Sequence, residues 1–488
     1  MTLTANPIRP CDDEAGSVLP DGVAKPVACP GDGSTPTRRT YTVGTLRYTT
    51  RGLVVLFAWL LWGDFCFSLF ENLFGRFMPL YLKQLHADNF VIGLLTGGLA
   101  GGVSVLFLPN ISMWTDRYRS RWGRRIPFLF WTTPCLALSM ILIGYAPEIS
   151  QWLGHTVGPL RVVSFATLTI ALVWIFTVSW QFFNMMLVNL FRFLTRDVVP
   201  LEVIPRFQSY FQVVAVASSM LFSYYIYPHV LDQRQWVCTG VGLTYLGAFM
   251  LMCWRVKEGQ YPPPGPPSEK SVLAAYFKNY YPYFRECLSV SLYRNVLMFT
   301  VVLAFAGSTG PFQLLFLKYT IHVSLADQGR VFTWTAPEAA LFTIFGGYLC
   351  TKFNAVRVYL VGLIVTTIAT LVFMVVVRGL ESWCILTVIN TIPLSISGVA
   401  YITLFLQIFP SEKFGQFFST LGVVGWGSAL IAYPLAGWCM DYVHGHYRQA
   451  YLVTVVFDAL AIVPMVQVYR GWKRHGGPHH YVPPLPAT

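Results

Sequence analysis

Four carboxylates stand inside long apolar runs: Asp64 and Glu71 in the first, Glu338 in the eighth and Asp458 in the twelfth. An acid surrounded by hydrocarbon is costly, so it marks a solute path, a proton relay or a paired charge. Asp64 and Glu71 are two helical turns apart and share a face. Arg76 follows Glu71 by about one more turn, so an internal ion pair is the alternative to ligand binding for Glu71. Glu338 follows Pro337, which has no N–H to donate and so permits a break in the helix. For Asp458 a structural hydrogen bond or an oligomer contact is expected. Neutral polar groups accompany these acids in the same runs: Gln181, Asn184, Asn189, Gln208, Gln212, Thr309, Gln313, Asn390 and Gln407. Aromatic residues interleave with them, among them Trp59, Trp62, Phe65, Trp174, Trp180, Trp334 and Trp426. Amides and acids suit hydroxyl groups, and aromatic faces suit the C–H faces of a sugar ring. The substrate-binding or coupling set read from this pattern is Asp64, Glu71, Gln181, Asn184, Gln212, Gln313, Glu338 and Asn390. Asp64 is the preferred coupling acid, because a buried carboxyl can take up and release a proton.

A second cluster is basic and lies outside the apolar runs: Asp116-Arg-Tyr-Arg-Ser-Arg-Trp-Gly-Arg-Arg125, followed by Ile126-Pro127-Phe128. Asp116 is positioned to pair with the arginines or to cap a neighbouring helix. The residues of interest in this segment are Asp116, Arg117, Gly123, Arg124 and Arg125, with Arg192 and Arg196 at the end of the fourth run as partners for Asp116.

The elements that hold these residues follow from composition. The 488 residues are 55% hydrophobic and 11% charged, with 15 Trp, 26 Tyr and 37 Phe. A soluble domain carries about 25% charged residues, so a soluble enzyme and a disordered chain are both excluded. A membrane-crossing helix needs about 20 apolar residues. Twelve runs qualify, near 52–82, 90–114, 127–146, 162–190, 207–229, 236–254, 295–318, 330–351, 356–377, 382–408, 415–440 and 449–469. The predicted class is an all-α membrane protein with twelve helices in two six-helix halves. The predicted divisions are a polar tail (1–46), a first half (47–254), a linker (255–294), a second half (295–470) and a tail (471–488). The linker contains Tyr261-Pro-Pro-Pro-Gly-Pro-Pro267, and an amphipathic surface helix is expected around Lys278 to Arg294. Lys and Arg number 34 against 22 acids. They crowd the loops on the side of both termini, which predicts cytoplasmic termini and a multi-pass protein of the cell (inner) membrane. The excess of charge thus reads as topology, and no nucleic-acid partner is expected.

The halves echo each other. Pro200-Leu-Glu202-Val-Ile-Pro-Arg206-Phe207 and Pro410-Ser-Glu412-Lys-Phe-Gly-Gln416-Phe417 share P-x-E-x-x-[PG]-[RQ]-F. Duplication of this kind is a feature of transporter architectures.

The 116–128 segment resembles the cytoplasmic signature of the major facilitator superfamily. Its S-R-W-G-R-R-x-P-F form resembles the glycoside–pentoside–hexuronide cation symporters and the related sucrose and sugar carriers. The resemblance implies two six-helix halves around one cavity, and a loop that latches them closed on one side. It also places sugar-binding positions at Asp64 and, by ungapped counting from Pro205-Arg206-Phe207, at Gln181. The sodium-site acids of the melibiose-type symporters would fall on Ser104 and Leu108. A leucine cannot ligate a cation, so sodium coupling of that type is not expected and a proton is preferred. No G-x-x-x-x-G-K-[ST] run is present, so an ATP-driven pump is not expected. No catalytic residues, metal or organic cofactor are expected either. The expected function is secondary transport of a small polar solute, a sugar or glycoside, by a lipid-embedded monomer. The alternatives are an exporter of amphipathic compounds and a non-transporting sensor on the same architecture.

Overall fold

The computed structural model describes residues 40–43, 45–157, 163–200, 202–259, 285–410 and 413–484. Twelve long helical spans run back and forth, so both ends of the helical body share one face, here the terminal face. Spans 1 to 3 are Thr50–Gln84, 89–117 and Ile126–Gly144. Spans 4 to 6 are Phe165–Val198, 204–229 and Arg234–Arg255. Spans 7 to 9 are 291–320, Leu325–Phe353 and Ala355–Val376. Spans 10 to 12 are Leu380–Ile408, Phe414–Tyr442 and Arg448–Arg474. Ten of them are long and apolar enough to cross a membrane on their own; spans 5 and 8 are more polar and complete the twelve.

The helices begin where side chains satisfy free N–H groups. The Ser164 hydroxyl accepts from Thr167 N at 3.2 Å, and the Ser324 hydroxyl from Asp327 N at 3.1 Å. Asn354, at φ 73°, accepts from Val356 N at 3.0 Å and turns span 8 directly into span 9. Span 8 passes through Pro337 without interruption. The break occurs instead in span 7, where the α-helix Ser291–Gly307 ends and a new one starts at Gly310, just before Pro311.

The repeated motif has a structural meaning. Val203 N donates to Pro200 O in the first copy, and Lys413 N donates to Pro410 O in the second, so both copies make the same turn. The closing phenylalanines, Phe207 and Phe417, are both buried. Each packs on the first span of its own half, Phe207 against Phe57 at 4.9 Å and Phe417 against Tyr293 at 4.7 Å. The echo therefore pins the fifth helix of each half to the first.

Residues 1–39 lie outside the described residues; Thr40–Val43, at the end of the polar tail, pairs with Leu46–Thr49 as an antiparallel hairpin that leads into span 1. The Pro-rich linker, residues 260–284, also lies outside the described residues, and most of the expected surface helix with it. The C-terminal segment folds back onto the second half: Tyr481 OH donates to Ile408 O at 2.8 Å, and Tyr293 OH to Pro484 O at 2.9 Å.

Candidate functional site: a cavity between the halves

Span 2 crosses from the first half to lie along span 11 of the second. Its Gly93 and Gly97 face Tyr433, its Gly101 faces the backbone of Trp426, and Gly437 of span 11 faces the backbone of Asn89. At Gly93 and Gly437 the two main chains touch, and only a residue without a Cβ allows that approach.

This seam lies toward the face opposite the termini, the far face, where polar groups close it. The Asp441 carboxylate of span 11 accepts from Asn89 N at 2.9 Å, Asn89 Nδ2 at 2.7 Å and Phe90 N at 2.9 Å. An acid from one half thereby caps the first turn of a helix in the other. Tyr447 OH donates to Asn89 Oδ1 at 2.9 Å. A second contact joins spans 5 and 8. There Tyr227 OH donates to Gln328 Oε1 at 2.8 Å, and Gln328 is wholly buried. Arg76 donates to Ser223 at 2.5 Å and lies over the Phe332 ring of the second half at 4.7 Å.

Below this closure lies a cavity of roughly 670 Å³. The first half supplies Glu71, Thr96, Trp180, Gln181 and Asn184; the second supplies Tyr401, Phe405, Phe418, Trp426 and Tyr433. The walls descend to Phe405 and Phe418, close to the terminal-face ends of spans 10 and 11, so the cavity faces the side of the termini. Asn184 Nδ2 donates to Glu71 Oε1 at 2.6 Å, and Trp180 stacks on Phe74 at 3.5 Å with 7° between the ring planes. One wall is therefore an acid–amide pair beside an aromatic slab. The opposite wall is aromatic and hydroxylic.

The structure distributes the predicted residues unevenly. Glu71, Gln181 and Asn184 share the cavity wall. Glu71 bonds to Asn184 and not to Arg76, whose partners are serines and aromatic rings, so the alternative of an internal ion pair is not the one the structure shows. Asp64 is 2% exposed and is not among the residues lining the cavity; its Oδ2 has no hydrogen-bond partner. Gln212 is exposed on span 5, and Glu338 lies on the continuous part of span 8; neither lines the cavity. Gln313 and Asn390 border a different cavity, within the second half. Asp458 borders it too and makes no hydrogen bond among the described residues, which corrects the expectation of a structural hydrogen bond.

The basic loop is also placed differently from the expectation. The side chains of Asp116 and Arg117 lie outside the described residues. Arg124 makes a bidentate pair with Asp197 at 2.8 and 3.1 Å, and Arg125 Nε stands 3.7 Å from the same carboxylate. Glu258 Oε2 accepts from Arg125 N at 2.8 Å and Ile126 N at 3.3 Å, capping span 3. Gly123, at φ 108°, lies against Glu258, where a side chain would collide with it. Asp197 belongs to the first half and Glu258 follows its last span at the start of the linker, so these contacts of the loop brace the first half and do not reach the second. Arg192 and Arg196, the expected partners, are exposed. Sequence reasoning missed Asp197, Glu258, Asn89 and Asp441, which sit at helix ends, where an acid draws no attention. Asp441 lies at the end of an apolar run, and that was the available signal.

Residues 295–483 match the family model of the Major Facilitator Superfamily. Over a longer stretch the chain resembles a bacterial homologue of the human lysosomal transporter Spinster, in its inward-facing, unoccupied conformation. That likeness covers 88% of this chain and 99% of the other, at 16% identity and a TM-score of 0.65. The fold is that of the major facilitator transporters. The nucleoside transporter NupG is similar at 10% identity and a TM-score of 0.57, over 86% of this chain and 99% of its own. A D-xylose–proton symporter is similar at 14% identity and 0.53, over 85% and 96%.

Proposed function

We propose that this protein is a secondary transporter that carries a small polar organic solute, a sugar or glycoside, through the central cavity by alternating access. The observation that carries the reading is the wall itself: Glu71 joined to Asn184, with Gln181 and the Trp180–Phe74 stack beside it, all facing aromatic residues of the other half. Acid and amides hold hydroxyl groups, while ring faces cover apolar C–H surfaces. A volume near 670 Å³ falls within the roughly 300–1,000 Å³ of small-molecule sites. The D-xylose–proton symporter among the similar structures supports the same class of cargo and a proton as coupling ion.

In this reading the two halves, 47–254 and 295–470, rock about the cavity. The basic loop and both termini lie on the cytoplasmic side of the cell membrane, so the structure is the cytoplasm-open state. Glu71 holds the solute. The span 1 carboxyls, Glu71 and the buried Asp64 two turns away, carry the coupling proton. Purified protein in proteoliposomes tests this with labelled sugars and an imposed pH gradient. Uptake should follow the gradient, and Glu71→Gln and Asp64→Asn should each remove that dependence. Uptake indifferent to the gradient and to both substitutions overturns the mechanism. Stabilisation by hydrophobic cations and not by sugars overturns the substrate class in favour of an amphipathic-compound exporter.

A further inference from the structure

The second half encloses a cavity of its own, of roughly 320 Å³, between spans 7, 9, 10 and 12. It lies behind span 7, and Gly307 borders both it and the central cavity. Its polar lining includes Asp458, Thr454, Thr309, Gln313, Asn390 and Ser397. Asp458 is 6% exposed and, among the described residues, accepts no hydrogen bond. Asn390 Oδ1 and Ser397 Oγ are buried without partners, and Ser397 is 8% exposed. The Thr309 and Thr454 hydroxyls meet at 2.6 Å, and Gln313 Nε2 points at both from 3.3 Å.

We propose that this cavity is a binding site for a monovalent alkali cation of sodium size. The donor set is all oxygen, which is the chemistry of a hard cation. It contains one carboxylate, so a single positive charge leaves the site neutral within the low-dielectric interior, whereas a divalent ion would leave an excess. A proton on Asp458 would also neutralise it, but one proton satisfies one acceptor and cannot serve both Asn390 Oδ1 and Ser397 Oγ. A metal ion engages several at once. The position adds a consequence. Span 7 breaks between Gly307 and Gly310, where it separates the two cavities, and Thr309 lies in that break. An ion held by Asp458 and the Thr309–Thr454 pair therefore sets the geometry of the partition behind the central cavity, as discontinuous helices do at ion sites in transporters.

The test is thermal unfolding of the purified full chain in detergent, titrated with sodium chloride at an ionic strength held constant by choline chloride. Sodium should raise the Tm saturably, and Asp458→Asn should abolish the rise. Asn390→Leu keeps the charge and removes one neutral oxygen; it should raise the half-saturating sodium concentration by about tenfold. It also serves alone if the Asp458 variant does not fold. No sodium-dependent rise in the wild type overturns the site. So does a rise that survives Asp458→Asn, or one unchanged by Asn390→Leu. Stabilisation that tracks pH alone, and ignores sodium and the Asn390 substitution, identifies a proton site and likewise overturns it. The measurement reads binding only, so it stands or falls independently of whether the central cavity carries a sugar.

Discussion

The two faces of the molecule use the same device for opposite ends. On the terminal face Glu258, at the start of the linker, caps the first turn of span 3, and the contact stays on the side of the first half. On the far face Asp441 caps the first turn of span 2 from the other half. The chemistry is identical: a carboxylate accepts N–H groups that a helix cannot satisfy by itself. The first cap can be permanent. In the proposed alternating-access cycle the second must break whenever the far face opens. A helix terminus is a suitable latch because its N–H groups find water when released, so breaking the cap does not strand a buried donor.

The comparison can be broken most forcefully at the seam. Gly437→Leu places a side chain into the Asn89 backbone, with an overpacking cost of about 1–3 kcal/mol or more. It should displace the far-face-closed state by one to two orders of magnitude, read as longer spin-label distances across the far face. An unchanged distance distribution would show that the seam is not the closure. Next comes Asp441→Ala, which removes a charge-assisted cap. A loss of about 2 kcal/mol changes the ratio of open to closed far face by roughly thirtyfold. The same labels report it, and cysteine accessibility near Asn89 should rise in step. Tyr227→Phe deletes one neutral hydrogen bond to Gln328, for about 1 kcal/mol and roughly a fivefold shift in the same ratio.

The smallest effect on that ratio, none, is expected at Glu258, and there the readout is stability. Burial raises the Glu258 carboxyl above the ordinary glutamate range; the N–H groups of Arg125 and Ile126 oppose this, and Asp197 adds to it. Its ionisation therefore costs more in the folded than in the unfolded chain. Stability is full below the ordinary glutamate pKa and declines as pH rises through the elevated folded value. Glu258→Gln should flatten that slope in thermal melts while leaving the far-face distances unchanged. A change in those distances would mean that the terminal-face cap also communicates across the halves.

Legibility in the sequence followed the range of the interactions involved. Span positions and the duplicated turn at Phe207 and Phe417 were readable, because hydrocarbon length and helical period are local properties. Glu71, Gln181 and Asn184 were readable as cavity candidates, since polar groups in apolar helices are few. Their company was not. Glu71 had an arginine about one turn away in sequence, yet its partner comes from span 4, because span 4 presents Asn184 at the same depth in the membrane.

What the chain determines by itself is thus the number of crossings, their pairing into similar halves and the list of polar groups that must be satisfied in lipid. Those follow from a solvent that accepts no unpaired backbone or charge. Tertiary structure alone decided that Asp441 caps span 2 across the two halves on the far face, and that Asp458 faces a chamber separate from the one Glu71 faces. Both depend on which helix faces which across the interface, and that is fixed by packing many residues at once rather than by the spacing of any few.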